Sequence, residues 1–120
     1  MPARQHPVTE RPLTAPALQF DLVQEIQRLK SEKDWTAGRR SITLAKQGAR
    51  RVVLLALRTD AKVEQHAVAG ALFVQVLEGR VRVTVADRTW SLGGGELLAL
   101  EPKMPHRVHA MVESVLLLTL

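Results

Sequence analysis

With no cysteine in the chain, its four histidines are the side chains best able to bind a metal or exchange a proton near neutral pH. Two of them, His66 and His106, stand in strand-like sequence and are candidate pocket or metal-ligating groups. Glu64 precedes His66 by two residues, so the period of a strand puts both on one face. Met104 precedes His106 by the same spacing and is read as an apolar wall of the same pocket. His6 lies in a proline-rich start and His109 alternates away from the interior, so neither is a candidate ligand. No Ser/His/Asp set and no pair of catalytic carboxylates is supported by spacing. Strand-like residues follow Gly93-Gly94-Gly95, which makes that run a turn rather than a phosphate cradle at a helix N-terminus.

The elements that must position these groups are mostly strands. Segments 41–46, 50–58, 62–67, 72–77, 80–86, 89–92, 96–100, 106–110 and 114–120 carry period-two or continuous apolar patterning, separated by glycine, proline and polar residues. So many short strands with regular turns predict a β-sandwich or closed barrel. Residues 52–57 are apolar throughout, as in a strand covered on both faces. In 80–86, alternation points Val81, Val83 and Val85 inward and Arg80, Arg82 and Thr84 outward. The same count puts Gln75 on the face opposite Leu72, Val74 and Val76.

Only residues 21–31 carry a helical period. Asp21 occupies the N-cap position with Gln24 three residues on, Leu22, Ile26 and Leu29 form one stripe, and Arg28 and Lys30 suit the C-terminal end of the dipole. Trp35 in the following loop is expected to cover one end of the barrel. Residues 1–16 hold four of the six prolines and predict an extended or disordered arm. The expected organisation is therefore an arm over 1–16, a helix and loop over 17–40, and a barrel domain over 41–120.

Composition narrows the partners. The 120 residues fit one domain, 46% hydrophobic, whose core must rest on Val and Leu because only 3% of residues are aromatic. The net charge of +5 comes as scattered pairs such as Arg39-Arg40 and Arg50-Arg51, which argues against nucleic acid as a partner. The start has no apolar h-region, and no run approaches the ~20 residues of a membrane helix, so a cytoplasmic protein without membrane attachment is expected. The two-sided apolar strand 50–58 predicts a homodimer that covers it.

Gly79 in VLEGRVRV and Gly95 followed by LLALEPKMPHRV, the motif closing on His106, resemble the two motifs of small single-domain cupins. The resemblance spans 41–120 and implies an all-β fold, a cupin-type jelly-roll β-barrel, here with one N-terminal helix; Gly79 corresponds to the family's hairpin glycine. Counted back from Gly79, the family's Glu falls on Leu72, its second His on Val68 and its first His on His66, while the proline expected before the last His is Glu101. The chain thus resembles cupin-2-like conserved barrels with a degenerate first metal-binding motif.

That architecture implies that His66 and His106 face each other. With Glu64 they would form a two-His-one-carboxylate set for one divalent transition metal, Fe, Mn, Zn or Ni. Alternatively Glu64 is a solvated carboxylate at the mouth, no metal is held, and His66, His106, Met104 and Leu72 line a pocket for a small polar molecule. The first reading of function is a small-molecule-binding or sensory cupin domain. The second is a metal-dependent enzyme of the oxygenase or isomerase class acting on a small organic acid or sugar; a third is an interaction protein whose interior is filled. The missing ligands favour the first, and no catalytic residue is assigned.

Overall fold

In a computed structural model, the structure describes residues 15–65 and 68–120. Most of the expected arm (1–14), and His66, lie outside the described residues. The chain runs α1 (Leu22–Ser31), β1 (Arg39–Gln47), β2 (Arg50–Leu57), β3 (Lys62–Gln65), β4 (Leu72–Glu78), β5 (Arg80–Val85), β6 (Arg88–Gly93), β7 (Leu97–Leu100), β8 (His106–Ala110) and β9 (Ser114–Thr119). A five-stranded sheet has the order β1-β2-β9-β4-β7 and a four-stranded sheet the order β3-β8-β5-β6. Their strand pairs are antiparallel. Only β1–β2 and β5–β6 are joined within one sheet; every other connection passes between the sheets, the wiring of a jelly roll.

The interior follows from the expected alternation. Val81 and Val83 are 0% exposed and Val85 is 8% exposed, and they meet Leu72, Val74, Val76, Val108 and Leu116 between the sheets. β2 serves two layers: Leu55 and Leu57 join this inter-sheet core, whereas Leu54 and Ala56 face Ile26 and Leu29 of α1. The two-sided apolar strand is therefore covered within one chain, by a helix on one face and the opposite sheet on the other. A second copy is not needed to bury it.

Asp21 caps α1 as its side chain predicts, accepting the Gln24 backbone N–H at 3.2 Å. Lys30 at the other end reaches Glu78 at 2.6 Å and ties the helix to the end of β4. Trp35 departs from expectation. It packs with the helix-side core, donates its indole N–H to the Glu32 carbonyl at 2.5 Å and carries the Arg58 guanidinium 4.5 Å above its ring, instead of closing the barrel.

Gly79 also has a different role from the one expected. β4 and β5 belong to different sheets, so this glycine is a corner between layers and not the turn of a hairpin. Its φ of +90° is one that side-chain-bearing residues rarely adopt, and a Cβ there would lie 2.8 Å from the Ser114 Cα. Ser114 closes the corner from the other side: its hydroxyl accepts the Arg80 N–H at 3.1 Å and bonds the Val112 carbonyl at 2.8 Å.

Candidate ligand-binding site

One end of the barrel is built by segments 68–71 and 101–105, joined where the Lys103 N–H donates to the Val68 carbonyl at 2.8 Å. Pro102 and Pro105 keep the second segment out of regular structure, and Lys103 adopts a φ of +66° to turn it. The segment delivers the chain into β8 with His106 as its first residue. His106, Val108 and Ala110 then point inward, and His106 is only 7% exposed. Its register partner on β5 is Val85.

The His106 Nδ1 lies 3.2 Å from the Met104 carbonyl oxygen. A carbonyl only accepts, so Nδ1 carries the proton in this bond, which leaves Nε2 as the side of the ring that can accept from a ligand or hold a metal. A depression of about 390 Å³ adjoins the ring, lined also by Glu64, Thr84, Ala86, Met104, Pro105 and Arg107. Met104 packs against the inter-sheet core from this side. Of the expected pocket residues, His106 and Met104 both line this depression. Leu72, 3% exposed and paired with Leu100, is core packing deeper in the barrel.

Glu64 does not come to the face of His106. In β3 the buried side chain is Val63, opposite Val108, so Glu64 is exposed and stands opposite Arg107, whose side chain also faces outward. Strand alternation thus separates the carboxylate from the buried imidazole. His66 lies outside the described residues. Among the described residues, no group of three or more His, Cys, Asp or Glu side chains is placed to hold a metal ion. Of the expected two-His-one-carboxylate set, the described residues put His106 on the interior face and Glu64 on the outer one.

His109 and Gln75 sit where alternation puts them. His109 faces outward, 3.4 Å from the Asp60 carboxylate, and Gln75 lies on the outer face opposite Leu97 and Leu117. The sequence reading passed over Arg51, which begins the inward side of β2 at the same end of the barrel. Counting back from Leu57 and Leu55 by the strand period would have found it.

The model of the AraC-like ligand binding domain matches residues 52–114, more than half of the chain. The chain belongs to this family. No curated protein matches it. Solved structures support the same fold for the domain. A cupin superfamily protein of Desulfitobacterium hafniense superposes with a TM-score of 0.67 at 16% identity, covering 73% of this chain and 81% of that one. A Cupin 2 conserved barrel domain protein of Leptotrichia buccalis gives 0.70 at 16% identity, covering 78% and 44%. Salicylate 1,2-dioxygenase of Pseudoaminobacter salicylatoxidans, in adducts with gentisate, gives 0.65 at 18% identity, covering 82% and 28%. At these identities the likeness is one of fold: this ligand-binding domain is a small cupin of jelly-roll type. Among its described residues no helix is long and apolar enough to cross a membrane.

Proposed function

We propose that this cupin domain is a binding module that recognises a small polar molecule at the His106 end of the barrel and carries out no reaction on it. The observation that supports this most directly is His106 itself. It is a buried imidazole whose Nδ1 is committed to the Met104 carbonyl while Nε2 is left for a ligand, beside a depression of about 390 Å³. An enzyme of the metal-dependent class would need further ligands beside the His106 ring, whereas strand alternation sets Glu64 on the other face of the sheet, at the rim of the depression. The interaction-protein reading fits the filled interior but gives a buried imidazole no task.

Binding at this site rests on few polar groups: the ring, and on the outer side of the sheet the Glu64 carboxylate, the Thr84 hydroxyl and the Arg107 guanidinium, which line the same depression. Such a site orients a ligand through two or three hydrogen bonds and takes affinity from the apolar walls of Met104, Pro105 and Ala86. The test is a thermal-shift screen of small polar metabolites on the wild type and His106→Leu in parallel. Compounds that raise the melting temperature of the wild type alone are expected. Stabilisation that is identical in both proteins would dispose of the site.

A further inference from the structure

Where β2 begins and β9 ends, Arg50 and Arg51 stand side by side on opposite faces of the strand. Leu55 and Leu57 face the inter-sheet core and Leu54 and Ala56 the helix, so alternation carries Arg51 to the inward side of β2 and Arg50 to the outward side. The Arg51 backbone is tied down: its N–H donates to the Leu120 carbonyl at 2.7 Å and its carbonyl accepts the Leu120 N–H at 3.0 Å. The side chain is not. Its Nε is shielded from solvent and has no hydrogen-bond partner among the described residues. A shielded guanidinium N–H without an acceptor is unfavourable, and an arriving acceptor would relieve it.

Two adjoining clefts share Arg50, Arg51, Thr119 and Leu120. One of them also takes in Lys46. The more enclosed, about 230 Å³, runs on along Val68, Ala71 and Phe73. Among the described residues, neither is lined by an Asp or Glu side chain.

We propose that the enclosed cleft binds a small organic carboxylate, with the carboxylate on Arg51 and a short apolar body along Val68, Ala71 and Phe73. The planar guanidinium fork matches a carboxylate with two parallel hydrogen bonds. A fully polar anion such as phosphate would leave oxygens unsatisfied against the apolar wall. The volume lies below the roughly 300–1,000 Å³ of pockets that take drug-sized ligands, which restricts the guest to a small acid. This cleft has no lining residue in common with the depression at His106, so the two proposals can fail separately.

The test is a titration of the ¹⁵N-labelled full chain with benzoate, its neutral isostere benzamide, and inorganic phosphate. Benzoate is expected to give saturable shifts of the Arg51 Nε–H and of the Ala69, Gly70 and Ala71 amides, and benzamide and phosphate are not. Arg51→Gln should weaken benzoate about tenfold or more, the loss expected for a charge-assisted bidentate pair. His106→Leu should leave benzoate binding unchanged. Absence of a saturable benzoate shift, an equal response to benzamide, a response to phosphate alone, or undiminished binding by Arg51→Gln would each overturn the proposal. If Arg51→Gln fails to fold, the comparison of benzoate with benzamide on the wild type decides alone.

Discussion

Replacing His106 by leucine separates a residue kept for binding from one kept for stability. The substitution removes one hydrogen bond, to the Met104 carbonyl, worth about 1 kcal/mol. That carbonyl belongs to a half-buried residue lining the depression. Against this loss stands the burial of a leucine side chain at a site 7% exposed, worth about 1.5–3 kcal/mol, reduced by about 1 kcal/mol for the change of shape. The sum lies within about 1 kcal/mol of zero, which for a chain of this size is a melting-temperature change of no more than about 4 °C. Thermal unfolding followed by circular dichroism measures it. A loss of more than about 3 kcal/mol would show that the imidazole is a structural group and would refute the reasoning.

Other substitutions should behave differently. Gly79→Ala combines a φ of +90° with a Cβ 2.8 Å from the Ser114 Cα and should cost about 3 kcal/mol, seen as a lower urea midpoint. Leu54→Ala, at a side chain 0% exposed between β2 and α1, should cost about 2–5 kcal/mol by the same measurement. Asp21→Ala removes the cap of α1 and should cost about 1 kcal/mol, with no effect on ligand binding. For assembly, the outer face of β4 and β7 leaves Phe73 39% and Leu97 59% exposed, and light scattering at tens of micromolar is expected to give a dimer that Leu97→Lys converts to monomer.

Much of the fold was legible because the period of two is local. The Val81, Val83, Val85 stripe and the continuous run of β2 each state which faces need cover, and the structure covers them in that way. Asp21 and the Leu and Ile stripe marked α1 for the same reason. What a local pattern does not contain is which strands pair. Gly79 reads alike as a hairpin turn or as a corner between sheets, and only the distant partner β9, with Ser114, distinguishes them.

Of the two readings of Glu64, a metal ligand or a solvated carboxylate at the mouth, the local pattern already favoured the second. In Lys62–Gln65 the single apolar residue is Val63, and period two with Val63 inward puts Glu64 outward. The metal reading instead took its face from the spacing to His66, a position set by the resemblance and not by the pattern. The place of His106 in the fold was legible because the proline-rich turn before it fixes where β8 starts. Arg51 was missed because two adjacent arginines read as a solvated strand end, and only the continuation of the β2 register shows that one of them faces inward.

The central claim is that a ligand is held at the His106 end of the barrel. Its most direct measurement is a fragment screen on the ¹⁵N- and ¹³C-labelled chain, read at the His106 ring and at the Thr84, Ala86 and Arg107 amides. The account predicts fragments that move these signals together and saturably, and that lose the effect in a folded His106→Leu. Fragments that bind only elsewhere, or that move the same amides equally after His106→Leu, would contradict it.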